Sequence, residues 1–210
     1  MPQQMATILM TNQKIKQIKD FLHKKLKPNR FEHVLSVRET AINFATKYKA
    51  DLQKVELAAL LHDCAKWMNT NILIELSKKH NIKLDQIERE NPALLHAKVG
   101  AEYAKDHFGI TDSDVLNAIR NHTTGTQKMS LVDKILYVAD FCEPKRNYQV
   151  ANDVYKTAES DLDSAMLEVA QHKIIRQIKE NRLIHPNTID VYNTGLRLSH
   201  KKKKEIEIGK

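Results

Sequence analysis

Apolar residues recur along this chain at spacings of three and four, and no run alternates with period two, so the pattern predicts helices throughout. Residues 13 to 27 read as a basic amphipathic helix ended by Pro28. The next helix, about 30 to 49, carries a polar stripe at Glu32, Ser36, Glu39, Asn43 and Lys47. Its remaining surface is mostly apolar (Phe31, Val34, Leu35, Val37, Ala41, Ile42, Phe44, Ala45), which predicts extensive burial. Asp51 can cap a third helix running into LLHDCAK, and Thr70 a fourth, NILIELSKKH. Asn91-Pro92 opens ALLHAKVGAEYAKDHF, with Gly109 as its stop. Thr111 or Asp112 starts DSDVLNAIRNH, ended near Gly125, and Ser130 starts LVDKILYVADFCE, stopped by Pro144. Two further helices, about 160 to 181 and 188 to 200, flank HPNT. No repeat or linker divides the chain, so the expectation is one all-α unit. Its parts are an N-terminal basic helix (1–27), a core (28–150) and a C-terminal helical extension with a basic tail (151–210).

Polar residues interrupt the apolar faces at particular places. His33 shares a face with Val37, Ala41 and Phe44, and His62 follows Val55 and Ala58. Asp63 follows Ala59 and Leu60, and His96 lies with Val99, Gly100 and Tyr103. His122 follows Val115 and Ile119, and Asp140 comes one turn after Leu136. Singly, each reads as a satisfied core histidine or a helix-end aspartate. Together, four imidazoles and two carboxylates facing one interior suit a shared cation, which offsets the cost of burying them. Six ligands exceed the needs of one metal with open positions and fit two metals bridged by a carboxylate. Adjacent helical residues diverge by about 100°, so His62 can bind one metal while Asp63 spans to the other. Imidazole and carboxylate donors without thiolates suit iron, manganese, cobalt or zinc, and argue against a structural zinc knot.

This ordered set resembles the HD-domain metal-dependent phosphohydrolases, and more narrowly the YqeK family of symmetrical bis(5'-nucleosyl)-tetraphosphatases. The resemblance rests on KPNRFEHVLSVRETA, LAALLHDCAKWM, LLHAKVGAEYA, LNAIRNHTTGTQKMSLVDKILYVADFCEPKR and RLIHPNT, spanning about 28 to 190. It implies an HD-domain helical bundle that cleaves diadenosine tetraphosphate (Ap4A) into two ADP by attack of a metal-bridging hydroxide. An iron-type dinuclear centre is implied, with manganese, cobalt or zinc as alternatives. Carried over, His33, His62, Asp63 and Asp140 resemble the ligands of one metal, and Asp63, His96 and His122 those of the other. Asp63 and Lys66 are the catalytic candidates, with Lys66 stabilising charge or protonating the leaving group. Arg30, Lys66, Lys145 and Arg146 fit a phosphate grip, with Thr123 and Thr124 as hydroxyl donors. The alternatives are another nucleotide substrate within the same hydrolase class, or a non-catalytic regulatory or nucleic-acid-binding module. Cys64 and Trp67 depart from the family pattern beside the His-Asp pair and put substrate preference in question.

Composition adds little against this picture. Only 5 glycines and 5 prolines fit a helical chain. The net charge of +8 suggests an anionic partner, which a polyphosphate satisfies. The run KKKK near residue 200 lacks interleaved aromatics, so it reads as a solvated surface and is weak evidence for nucleic acid, which is not the expected partner. No apolar run is long enough to span a bilayer, and MPQQMATILM is too short and uncharged for a secretory signal, so the cytoplasm is expected. Cys64 and Cys142 form no zinc-type pair, and a homodimer is left open. Arg38 reads as half of a buried structural pair; His23, His80, His107, His172 and His200 read as surface residues, and His185 as part of a helix stop and restart.

Overall fold

The computed structural model describes residues 2–208 apart from Asn147. The reading of MPQQMATILM concerns side chains that lie outside the described residues. The described chain is helical, with no strand: α1 (Pro2–Lys25), α2 (Pro28–Lys47), α3 (Leu52–Leu61), α4 (Thr70–Lys79), α5 (Gln86–Glu90), α6 (Leu95–Phe108), α7 (Ser113–Asn121), α8 (Leu131–Cys142), α9 (Gln149–Ala158), α10 (Leu162–Lys179) and α11 (Pro186–Ile208). The all-α expectation holds. No described helix is long and apolar enough to cross a membrane.

Local chemistry sets most boundaries. Asp51 accepts from the Gln53 and Lys54 amides at the start of α3, and Ser130 and Asp133 form a reciprocal capping box on α8. Gly109 closes α6 at φ 63°, a conformation that glycine adopts without penalty. Several boundaries differ from the sequence reading, among them the start of α1 at Pro2 where periodicity suggested residue 13. Asn69, not Thr70, caps α4, because its side chain reaches the Ile72 amide. A short 3-10 turn, Pro92–Leu94, precedes α6. Helices α5 and α9 were not anticipated, being 5 and 10 residues long with weak periodic signals. The final helix runs past residue 200, where Lys202 pairs with Asp161.

The core forms where α2, α3, α7 and α8 pack together, with Val37, Phe44, Leu60, Ile119, Leu136 and Tyr137 almost fully buried. Helices α9 and α10 cover another side of α8, α11 packs on α10, and Val154, Met166 and Val191 join the same core. Ser36 breaks the expected polar stripe of α2: it is buried and hydrogen-bonds Glu143. Arg38 pairs with Glu56 on α3, although the pair is half-buried and not buried as the sequence suggested.

Candidate metal centre

Two of the histidines occupy equivalent places. His62 and His122 each sit immediately after the last residue of a helix, α3 and α7, where terminal carbonyls lack intrahelical partners. Each ring donates its Nδ1–H to the carbonyl three residues back, Ala59 at 2.7 Å and Ile119 at 2.7 Å. His96 does the same with Ala93 at 2.6 Å. A carbonyl only accepts, so these contacts fix the proton on Nδ1 and leave the Nε2 lone pairs aimed inward. His33 reaches the same state differently, through the Glu143 carboxylate at 3.0 Å from its Nδ1.

Asp63 lies among them, 2% exposed. Its Oδ2 stands 3.5 Å from His62 Nε2 and 4.0 Å from His33 Nε2. Its Oδ1 stands 3.4 Å from His96 Nε2 and 3.7 Å from His122 Nε2. The two oxygens of one carboxylate therefore face two imidazole pairs. Asp140 closes the first group, 3.1 Å from His33 Nε2 and 3.9 Å from His62 Nε2. Both triads, His33–His62–Asp63 and Asp63–His96–His122, have a ligand-atom spacing that could hold a metal ion.

The donor atoms fit such a cation. His33 Nε2 and His62 Nε2 are buried with no aligned hydrogen bond. His96 Nε2 faces His122 Nε2 at 3.1 Å, lone pair against lone pair, and the nearby Thr123 hydroxyl can donate to only one of them. Burial is the largest influence on both aspartates and opposes their charge. It is outweighed at Asp63 by the neighbouring imidazoles of His62, His122 and His96, His62 foremost, and at Asp140 by His33, His62 and Arg146. Both stay well below the usual carboxylate range. Burial and the neighbouring His122 push His96 down to about 3, so its ring is neutral and free to ligate.

A cavity of about 300 Å³ opens onto this centre, lined by Arg30, Asp63, Lys66, His96, His122, Thr123, Asp140 and Arg146. Arg30 reaches Asp63 Oδ2 at 3.0 Å, and Arg146 reaches Asp140 Oδ1 at 3.1 Å. Lys66 Nζ lies 3.2 Å from His96 Nδ1, and burial lowers its pKa. Lys145 is not brought to this cavity; it turns outward to pair with Glu32. Thr124 faces a neighbouring cavity instead. Cys64 packs under Gly100, and Trp67 lies against Tyr103 with Lys25 over its ring, so neither lines the cavity.

Several contributors escaped the sequence reading. Glu143 orients His33, and Phe141, Tyr148, His172, Lys173 and Arg176 complete the cavity wall. His172 is thus not a plain surface residue: it stacks on Phe141 at 6.0 Å. His185 is buried and bound to Asp85 at 2.7 Å. The turn after α7, HTTG, is held by the C-terminal helices: Lys173 Nζ donates to the Thr123 carbonyl, Thr188 Oγ1 to that of Thr124, and Asn187 Nδ2 to that of Gly125. No spacing rule links residues 50 or more apart, which is why these were missed.

This fold and donor set define a class. Residues 30–145 match the HD domain model, so the chain is an HD-domain protein. It belongs, more narrowly, to the family of symmetrical bis(5'-nucleosyl)-tetraphosphatases. It is 40% identical over 168 residues to the enzyme of that name from Halalkalibacterium halodurans, covering 80% of this chain and 89% of the relative. It is 35% identical to the Bacillus subtilis enzyme, with 80% and 90% covered. A crystal structure of a predicted HD superfamily hydrolase involved in NAD metabolism, from Clostridium acetobutylicum, superposes with TM-score 0.84 at 37% identity. That match covers 87% of this chain and 96% of the other.

Proposed function

We propose that this chain hydrolyses Ap4A symmetrically, adding one water across the central phosphoanhydride to give two ADP. The observation that carries the reading is the split of Asp63, with one oxygen towards His33 and His62 and the other towards His96 and His122. In this reading His33, His62 and Asp140 hold one cation, His96 and His122 hold a second, and Asp63 joins them. When bound, two cations supply the acidity that makes a water nucleophilic near neutral pH and counter the charge of the phosphates.

The remaining work falls to side chains around the cavity. Arg30 and Arg146 are held by the aspartates and turn further N–H donors towards phosphate oxygens. Lys66 is placed to balance charge on the leaving phosphate or to give it a proton. Thr123 supplies a hydroxyl at the edge of the second imidazole pair. Lys145, paired with Glu32 outside the cavity, is left out of this grip.

The donors are imidazole and carboxylate without thiolate, and iron is the proposed resident metal, with manganese, cobalt and zinc as the other candidates. The enzyme would act in the cytoplasm. The test joins elemental analysis of anaerobically purified protein to product identification with Ap4A. Two ADP per Ap4A, lost on chelation and restored by metal, is the expected result. AMP plus ATP, or undiminished turnover without metal, refutes it.

A further inference from the structure

One wall of the cavity over the metal centre is aromatic, and the proposed hydrolysis gives it no task. Phe141 in the last turn of α8, Tyr148 immediately before α9 and His172 on α10 supply it. The Phe141 and His172 rings lie nearly parallel, 16° apart with centroids at 6.0 Å. Tyr148 meets Phe141 edge-on, at 6.0 Å and 80°. Stacked and edge-to-face contacts are the arrangements that aromatic pairs prefer, so the three rings brace one another.

Tyr148 is 41% exposed, yet its ring is pinned. Its hydroxyl donates to the Phe141 carbonyl at 3.2 Å and accepts from Arg146, whose guanidinium also holds Asp140 at 3.1 Å. Contacts thus run without a gap from the metal centre through Arg146 to the ring. With the hydroxyl engaged by protein partners, what Tyr148 offers a ligand is ring surface. Such a surface has no donor for a phosphate oxygen, and it suits a flat heterocycle, whose π-face can stack on it.

We propose that Tyr148, braced by Phe141 and His172, is a stacking platform for one base of a dinucleotide whose phosphates lie along Arg146 and the metal centre. The inference rests on the hydrolase reading in taking the substrate to carry a base at each end of its phosphate chain. It makes Tyr148 a specificity residue, favouring a phosphate chain that ends in a base over a bare one.

The test is calorimetric titration of the metal-loaded full chain with two ligands that resist cleavage at the central bond. One is Ap4A with a methylene in place of its central bridging oxygen. The other is methylenediphosphonate, which keeps that central unit and has no base. Tyr148→Ala removes an exposed ring and leaves the buried core untouched. It should weaken the Ap4A analogue about tenfold, the scale of one lost base stack, and leave methylenediphosphonate within about twofold. Tyr148→Phe loses the bond to Arg146 but keeps the ring, and should bind the analogue within about threefold of wild type. Unchanged analogue affinity in Tyr148→Ala, equal weakening of both ligands, or a Tyr148→Phe variant as weak as Tyr148→Ala overturns the platform. No analogue binding by the wild type overturns it too. Selective loss of the analogue by Tyr148→Ala in a protein that leaves Ap4A intact supports the platform and refutes the hydrolase reading. Two ADP from Ap4A, with unchanged analogue affinity in Tyr148→Ala, refutes the platform alone.

Discussion

His33 and Glu143, 110 positions apart, meet at 3.0 Å through the imidazole Nδ1 and a carboxylate oxygen. Glu143 is 2% exposed; burial would raise its pKa, but hydrogen bonds from Ser36, His33 and the Lys145 amide keep it low. An ionised carboxylate only accepts, so it fixes the His33 proton on Nδ1 and leaves Nε2 facing Asp63 and Asp140 at the candidate metal centre. Glu143→Ala is expected to weaken metal retention by roughly 10–100-fold, the usual cost of losing such a partner. Competition with a chelator measures this. Retention equal to wild type would show that the ring needs no such support.

Asp63→Ala removes the one carboxylate facing both imidazole pairs. Both sites then lose a ligand, and Arg30 loses its partner. Metal content is expected to fall below one equivalent, with turnover lost alongside. Elemental analysis decides the matter, and two retained equivalents would refute the bridging role.

The sequence pointed to this candidate centre because the side chains proposed as its ligands follow a local rule. His62, Asp63, His96 and His122 interrupt apolar helical faces, and the structure brings those faces to one interior. Glu143 followed no such rule: beside Pro144 it read only as a helix end, and Ser36, which bonds it, looked like part of a solvent stripe. Helix α9 was missed for the same reason, since it owes its existence to packing on α8 and α10. Lys145 shows the opposite case. Its charge suited phosphate, but the turn after α8 points it to Glu32. Periodicity reports which way a residue faces on its own helix and says nothing of partners supplied by distant helices.

Lys66→Ala should separate charge stabilisation from metal binding. Its ammonium lines the cavity beside His96 but is no ligand. Turnover is expected to fall by roughly 10²-fold, the scale of a lost transition-state donor, with metal content unchanged. Steady-state kinetics alongside metal analysis checks it, and metal loss would reassign Lys66 to structure.

The metal-free protein should lose stability as pH falls below about 6.5, the unfolded histidine value. Burial and His122 hold folded His96 near 3, and burial lowers His122. Between those values the unfolded chain binds more protons at both rings, so acid favours unfolding. His62 acts oppositely: burial lowers its pKa, but Asp63 and Asp140 raise it overall. Its contribution is fully present below about 6.5 and lost as pH rises through its folded value. Two rings oppose one, and the net effect is acid destabilisation. The contributions of Asp63 and Asp140 are present above about 3.9 and disappear as pH falls through their lower folded values. Calorimetry of chelator-treated protein should show Tm several degrees lower at pH 4 than at pH 7. A Tm that rises on acidification would overturn this balance.

Gly125 and Gly109 offer a matched pair of substitutions. Both have positive φ, 74° and 63°. A Cβ at Gly109 meets nothing within 4 Å, so Gly109→Ala carries only backbone strain, about 1 kcal/mol. A Cβ at Gly125 would lie 2.4 Å from Val191 Cγ2, a buried side chain of α11. Gly125→Ala must therefore move α11 or the turn that follows His122, adding overpacking of roughly 1–3 kcal/mol. At ~2–4 °C per kcal/mol, its Tm should fall further than that of Gly109→Ala. Metal retention should also weaken in Gly125→Ala alone, because α11 holds the turn through Asn187 and Thr188. Thermal denaturation and chelator competition on the two variants test both statements; equal Tm losses with unaltered metal binding would show that the turn tolerates displacement of its helical support.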